Sequence, residues 1–298
     1  MNSLKIKLIA ILLIISSTLF GTFMVSFIKN LTSDLNTPTI GFYRFFIGLI
    51  IIFPFIIRNQ FNVLKTPNLK LHILRSLINL PSMLMGFAAL SYLTLEKASA
   101  LHFVVPLFVT VLAIIILKEK VYYYRTIALI FGFIGMLVVV RPGIIGFDIG
   151  SILSLGASFT WAFTIIIVKR LSKMDSSLTI LAYQYIFMSF LSFFVLIFYW
   201  QVPDFQQFIY LFIAAFFGTI MHLCVNQAYK MVDVTLTTPF TFLGLLWASI
   251  IGYTFFNEFP DFFTWLGGSI IFISVFLVTL REAKLNKEIS KKSIPVIN

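Results

Sequence analysis

The sequence is poor in charge, in cysteine and in the motifs of soluble enzymes. Only 11% of its 298 residues are charged, against about 25% in typical soluble domains. The single cysteine, Cys224, excludes an internal disulfide. The chain contains no P-loop, nucleophile–base set, metal-ligand cluster or Cys-x-x-Cys motif. We therefore predict that the protein is not an enzyme and uses neither a cofactor nor a metal.

Apolar residues take the place of the missing charge. Sixty per cent of the chain is hydrophobic and its mean hydropathy is +1.02. Apolar runs recur, each long enough for a helix to cross a ~30 Å hydrocarbon core. The predicted spans are residues 8–28, 38–57, 73–95, 98–117, 122–140, 148–168, 178–200, 207–229, 234–256 and 262–280. This pattern predicts an all-α polytopic membrane protein with ten transmembrane helices, surrounded by the lipid bilayer.

The basic residues indicate which side of the membrane each loop faces. The net charge of +11 is spread over short connections between apolar runs, so we predict no nucleic-acid partner. Lys29, Lys97 and Arg141 lie on one predicted side, and Arg44 lies inside a span. The other side holds 18 basic residues, namely Lys5, Lys7, Arg58, Lys65, Lys70, Arg75, Lys118, Lys120, Arg125, Lys169, Arg170, Lys173, Lys230, Arg281, Lys284, Lys287, Lys291 and Lys292. Because basic loops stay in the cytoplasm, we predict a multi-pass protein of the cell inner (cytoplasmic) membrane with both termini cytoplasmic.

The two halves of the chain resemble each other. The aligned positions are 19–23 with 160–164, Thr39 with Thr179, Tyr43 with Tyr183, Arg44 with Gln184, Tyr92 with Tyr229, and Lys118-Glu119 with Asn257-Glu258. A repeat of five spans is odd-numbered, so its second copy must enter the membrane upside down. We predict two inverted five-helix repeats, residues 1–145 and 146–298, the second ending in a short basic tail. Such repeats are a recurrent transporter architecture with the substrate site between the copies.

Motifs in both halves resemble one transporter superfamily. In the first half they are Ala89-Leu90-Ser91-Tyr92, Ala98, Pro106, Leu117-Lys118-Glu119-Lys120, Gly132 and Gly135. They resemble the repeat of the drug/metabolite transporter superfamily, in its EamA branch. The resemblance implies two inverted five-helix repeats that carry small metabolites by alternating access.

A second set of residues resembles a bacterial subgroup of that branch that includes S-adenosylmethionine importers. These residues are Met231-Val232-Asp233, Thr238-Pro239 and Asn257-Glu258-Phe259-Pro260-Asp261. The ninth helix of that subgroup often carries a basic and an acidic residue where this chain has Thr241 and Gly244. The resemblance therefore implies an S-adenosylmethionine-like or amino-acid-like solute, without fixing its identity.

Polar residues inside the spans are the candidates for contacting a substrate. They are costly against lipid and should face the protein interior or a wet cavity. In the eighth span, Gly218, His222, Asn226 and Tyr229 share one helix face at spacings of 4, 4 and 3. We predict that the last three bind substrate, with an interhelical hydrogen-bond seam as the alternative. His222 has a further interpretation, as a titrating group that couples transport to protons.

The other substrate-binding candidates are distributed over six spans. They are Arg44, Asn79, His102, Trp161, Gln184, Thr238 and Trp247. For the two tryptophans the alternative is an ordinary packed core, and for Thr238 it is a hydrogen bond to the preceding turn. Arg44 has two interpretations: a counter-charge for an anionic substrate group, or an anchor to backbone carbonyls of a neighbouring helix.

These patterns together predict a secondary active transporter that moves a small organic metabolite by alternating access. Its rivals are an intramembrane lipid-handling enzyme or an accessory membrane protein, and a channel. An enzyme would need clustered catalytic residues near one interface, and a channel a ring of like charges. The polar residues are instead scattered toward the middle of the spans. Transport direction, coupling ion and the choice between monomer and homodimer remain open at this point.

Overall fold

Helices form all the regular structure in the described part of the chain. The computed structural model describes residues 3–102, 104–118, 123–140 and 149–257, together with 262–263, 265–270, 273–274 and 277. The helices are α1 (Ser3–Leu31), α2 (Thr37–Arg58), α3 (Leu69–Leu90), α4 (Leu95–His102), α5 (Val105–Leu112), α6 (Tyr123–Val140), α7 (Ile149–Leu171), α8 (Ser177–Leu196), α9 (Phe205–Met231), α10 (Val234–Thr237) and α11 (Leu243–Phe256). Within these residues, six helices are long and apolar enough to cross a membrane: α1, α2, α3, α7, α8 and α9. They coincide with predicted spans 1, 2, 3, 6, 7 and 8.

The predicted fourth and ninth spans are interrupted helices. In the fourth, α4 and α5 are followed by a π-helical turn at Ala113–Leu117. In the ninth, the short α10 leads into a 3₁₀ segment, Thr238–Phe242, before α11 begins. Pro106 and Pro239 stand in the first turn of α5 and of the 3₁₀ segment, where a helix does not need the N–H that proline lacks. Helix α6 covers the fifth span, and much of the tenth lies outside the described residues.

Matching helix ends recur in the two halves. The side chains of Asn36 and Ser176 cap α2 and α8, and each accepts a hydrogen bond from the amide three residues on. Such caps satisfy an amide that has no partner within the helix. Lys118 and Asn257 both adopt the left-handed backbone conformation, with φ of 54° and 53°, and both cap the end of an apolar helical segment. The glutamates that follow them lie outside the described residues.

The most extensive helix contacts join the two halves. Helix α1 packs along α9, α3 packs along α7, and α2 packs against α8. The close approach of α2 and α8 needs a glycine, because a Cβ on Gly48 would lie 2.8 Å from the Tyr185 ring. The Tyr185 hydroxyl is in turn hydrogen-bonded to Thr219 of α9 at 2.7 Å. The α1–α9 pair and the α3–α7 pair form two walls. The space between these two pairs contains the candidate site.

Candidate functional site

A cavity of about 340 Å³ lies between these two walls. Residues of α2, α4, α5 and α8 and the positions around 241–244 complete its lining. The lining is mostly apolar with a few polar groups, which is the usual character of a small-molecule site. Of the lining residues that the structure describes, none is acidic. Seven of the ten candidates from the sequence line it: Arg44, Asn79, His102, Trp161, Gln184, His222 and Tyr229.

A chain of hydrogen bonds connects buried polar side chains on one side of this cavity. Arg75 Nη2 donates to Gln184 Oε1 at 2.8 Å, and Gln184 Nε2 lies 3.1 Å from His222 Nε2. Arg44 Nη2 lies 3.5 Å from the same nitrogen of His222. All four side chains are buried. Arg44 and Arg75 belong to the first half of the protein, and Gln184 and His222 belong to the second. These hydrogen bonds therefore link the two halves.

The donors in this series of hydrogen bonds determine whether His222 Nε2 donates or accepts. A guanidinium has only donors, so Arg75 must face the oxygen of the Gln184 amide. The amide nitrogen therefore points at His222 as a donor, and Arg44 offers a second donor. His222 Nε2 has to accept, which assigns the ring proton to Nδ1. A proton added at Nε2 would face two donors, so this geometry gives no support to proton coupling through His222.

Arg44 is buried without a counter-charge in the described part of the chain. Its Nη2 donates to Met24 Sδ at 2.9 Å, and thioether sulfur is a weak acceptor. The guanidinium carbon lies 4.6 Å from the ring centroid of Phe45 and 5.8 Å from that of Phe87, while Nε has no hydrogen-bond partner among the described residues. The backbone carbonyls that the anchor interpretation requires are not among these contacts. Gly218 leaves room for the guanidinium, since an added Cβ would lie 2.8 Å from Nη2.

The remaining lining candidates surround this arginine-bearing region. Trp161 stands beside His222, with ring centroids 6.2 Å apart. Asn79 of α3 and Tyr229 of α9 are both buried, and His102 ends α4 where the fourth span is interrupted. These side chains come from four helices, so the fold gathers polar and aromatic groups that are far apart in the sequence. Their roles in binding a substrate stay predictions.

Three candidates from the sequence are not part of the described lining. Asn226 donates to the backbone oxygen of Ser177 at 3.4 Å, so it belongs to a seam between α9 and α8. The Trp247 indole nitrogen is buried and has no hydrogen-bond partner among the described residues. The side chain of Thr238 lies outside the described residues. The polar face of α9 is thus divided: His222 and Tyr229 line the cavity, and Asn226 joins two helices.

Sequence reasoning missed Arg75, which it counted with the cytoplasmic loops. Arg75 exposes only 1% of its surface, and its Nη1 donates to the backbone oxygen of Ile180 at 3.2 Å. A signal for its burial was present in the helical spacing. His72, Arg75 and Asn79 follow at intervals of 3 and 4, which puts them on one face of α3.

A second buried polar cluster lies at the N-terminal end of α3, one turn before Arg75. His72 Nε2 is 3.0 Å from Asp175 Oδ2, and the Thr66 hydroxyl contacts both carboxylate oxygens of Asp175 at 2.9 and 3.0 Å. Lys169, also counted with the loops, is buried and donates to the backbone oxygen of Tyr229 at 2.7 Å. These contacts fasten the α2–α3 and α7–α8 connections and the end of α9.

The profile of the EamA-like transporter family matches this chain twice, over residues 8–141 and over residues 148–280. The chain belongs to the EamA-like transporter family. EamA membership and the apolar helices together make it a multi-pass membrane protein and a transporter rather than an enzyme.

EamA-type relatives are named as transporters of small metabolites. The S-adenosylmethionine uptake transporter of Rickettsia bellii is 30% identical over 281 residues, which cover 91% of this chain and 96% of the relative. The riboflavin transporter of Vibrio cholerae is 29% identical over 259 residues, covering 85% and 86%. A solved structure described as the crystal structure of a protein is similar with a TM-score of 0.72 at 15% identity, covering 91% of this chain and 98% of the other. That last likeness concerns the fold alone.

The departure from the importer subgroup falls in the cavity. Thr241 and Gly244 stand where the resemblance implied a basic and an acidic residue, and both line the cavity. A difference at lining positions bears directly on which solute fits. The substrate of a relative therefore does not transfer to this chain by similarity of sequence.

Proposed function

We propose that the protein is a secondary active transporter that moves a small organic metabolite across the cell inner membrane by alternating access. The cavity of about 340 Å³ carries this proposal, because it combines an apolar lining with a hydrogen-bonded set of buried polar side chains. Polar groups inside membrane proteins commonly mark a solute pathway. Both termini are proposed to be cytoplasmic, as the distribution of basic residues predicts.

We also propose that residues 1–145 and 146–298 are inverted repeats of five helices each. The matching caps at Asn36 and Ser176 and the matching left-handed residues Lys118 and Asn257 support this arrangement. The reciprocal packing of α1 on α9 and of α3 on α7 supports it as well, since a two-fold relation exchanges these two pairs. Inverted repeats place the solute site at their interface, and the cavity lies between those pairs.

The relatives give a starting point for the solute. Their names specify S-adenosylmethionine and riboflavin, both of which carry a flat ring system. Phe45, Phe87 and Trp161 line the cavity and offer aromatic surface on which such a ring can stack. We propose an S-adenosylmethionine-like or amino-acid-like solute, with a flavin-like solute as the second candidate.

Counterflow in reconstituted vesicles tests the proposal. The full-length protein is placed in liposomes preloaded with one unlabelled solute, either S-adenosylmethionine, riboflavin or a pool of amino acids, and uptake of the labelled solute is measured. We expect saturable accumulation that requires both the protein and the preloaded solute. Unsaturable ion flux would indicate a channel instead, and turnover of lipid without a solute gradient would indicate a lipid-handling protein. Either result without counterflow of any of these solutes contradicts the proposal.

A further inference from the structure

The buried charges of the described helices and their connections do not balance. Among the described residues, Arg44, Arg75 and Lys169 are the buried arginine and lysine side chains, and Asp175 is the one buried acid. Asp175 is already engaged by hydroxyl and imidazole groups and is not part of the cavity lining. Arg75 and Lys169 direct their donors to oxygen atoms of the protein. Arg44 differs from both, because it lines the cavity and has no oxygen acceptor within the described part of the chain.

The geometry of Arg44 shows what kind of group it lacks. A guanidinium stays protonated in proteins and carries five N–H donors in its plane. The rings of Phe45 and Phe87 lie close to the guanidinium carbon, and aromatic faces attract its charge, but rings of this kind accept no strong hydrogen bond. The sulfur of Met24 and one nitrogen of His222 are its only acceptors among the described residues. A buried charge with so few acceptors is costly, and an oxyanion would supply what is missing.

We infer that the cavity binds a small organic carboxylate, with its carboxylate on the Arg44 guanidinium and its apolar body against the aromatic lining. This inference rests on the proposed function and names the chemical class of its solute. One carboxylate matches one uncompensated guanidinium, whereas a phosphate ester brings a charge near −2 at neutral pH. With no acidic residue in the described lining, an amine that carries no carboxylate would meet the charge of Arg44 without any counter-charge from the lining.

Two neighbours of Arg44 fit this assignment. Gly218 is the position at which any side chain would displace the guanidinium, because an added Cβ would lie 2.8 Å from Nη2 and 3.4 Å from Nε. The amide of Asn79, which is buried and lines the cavity, supplies another donor to the lining. The lining thus offers donors to an acid group, while its aliphatic and aromatic residues offer surface to an apolar body.

A matched set of aromatic probes tests the inference by binding alone. The probes are 2-naphthoate, 2-naphthamide and 2-naphthylmethylamine, which share a ring system and differ in charge. Dissociation constants are measured by titration calorimetry with the purified full-length protein in detergent. We expect naphthoate to bind about tenfold or more tightly than the amide. A hydrogen bond to a charged group contributes more free energy than one to a neutral group, and the difference corresponds to a factor of about ten in the dissociation constant. The amine should bind no more tightly than the amide.

Variants of α2 and one variant of α9 test whether this preference comes from Arg44. Arg44→Gln should reduce the affinity for naphthoate to that for the amide, and Arg44→Lys should retain the preference because it retains the charge. Arg58→Gln removes a charge from the exposed end of the same helix and should leave all three constants unchanged. Gly218→Ala should weaken naphthoate binding more than amide binding. Thermal midpoints are recorded for every variant, and Arg44→Gln should unfold no earlier than the wild type.

Several outcomes would overturn the inference. They are an absence of naphthoate binding, equal or tighter binding of the amine, or a naphthoate preference that persists in Arg44→Gln. Loss of folded protein in Arg44→Gln would also overturn it, because Arg44 would then be a structural anchor. Saturable counterflow of a neutral or cationic metabolite combined with any of these outcomes would leave the transport proposal intact and remove only the carboxylate assignment.

Discussion

The contact between Gly48 and Tyr185 predicts a measurable cost for one added methyl group. In Gly48→Ala the new Cβ would lie 2.8 Å from two ring atoms of Tyr185, about 0.7 Å inside the closest favourable carbon–carbon separation. The ring exposes 1% of its surface and its hydroxyl is held by Thr219 at 2.7 Å, so it cannot move aside freely. We expect a loss of about 1–3 kcal/mol of folding stability, the usual cost of overpacking a core.

Thermal unfolding in detergent, followed by the fraction of monodisperse protein after heating, measures this effect. Gly86→Ala is the matched control, because its Cβ would meet only Ala157 Cβ at an ordinary 3.6 Å. We expect a lowered midpoint for Gly48→Ala and an unchanged midpoint for the control. Equal midpoints in the two variants would refute the reasoning, since they would show that α2 and α8 do not pack at the distance described.

Two further predictions concern buried polar groups. Asp175→Ala leaves the donors of Thr66 and His72 without an acceptor, so we expect a loss of about 1–3 kcal/mol of folding stability, measured as a lower unfolding midpoint. The control Asp34→Ala, at an exposed site, should leave the midpoint unchanged. Equal midpoints in the two variants would contradict the description of the cluster. His222 lines the cavity, whereas Asn226 joins α9 to α8. We therefore expect His222→Ala to reduce counterflow at normal membrane abundance, and Asn226→Ala to reduce membrane abundance. The reverse pattern would contradict these two assignments.

The sequence predicted much of the fold because lipid imposes a simple rule on composition. A helix surrounded by hydrocarbon needs a long apolar run, and six such runs form continuous helices at the expected positions. The same rule says little about interruptions. The fourth and ninth spans contain no charged residue, even at their breaks, so hydropathy alone predicts each of them as a single helix.

The candidate site was predictable where its residues stand mid-span and less so at helix ends. Arg44, Gln184 and His222 are polar residues in apolar runs, and their position alone suggested an interior role. Arg75 and Lys169 lie near helix ends, where a buried base and a loop base look alike in sequence. Their acceptors on α8 and α9 are far away along the chain, and such pairings arise only when the helices pack.

The described contacts of Arg44 do not support the anchor interpretation, for a related reason. It assumed that an arginine at this depth must find fixed oxygen acceptors in the protein. The fold provides those acceptors to Arg75, and it leaves Arg44 facing the cavity with sulfur, imidazole and aromatic neighbours. Only the packed structure shows which of the two arginines has oxygen acceptors.

Filling the cavity tests most directly whether it is the solute pathway of this transporter. Gly86 lines the cavity, and a Cβ there meets only Ala157 at 3.6 Å, so Gly86→Leu should project into the open space and leave the helix packing intact. Counterflow is compared between equal amounts of reconstituted wild-type and Gly86→Leu protein with matching unfolding midpoints. The account predicts saturable counterflow by the wild type and its loss in the variant. Unchanged counterflow by a folded Gly86→Leu protein would contradict it.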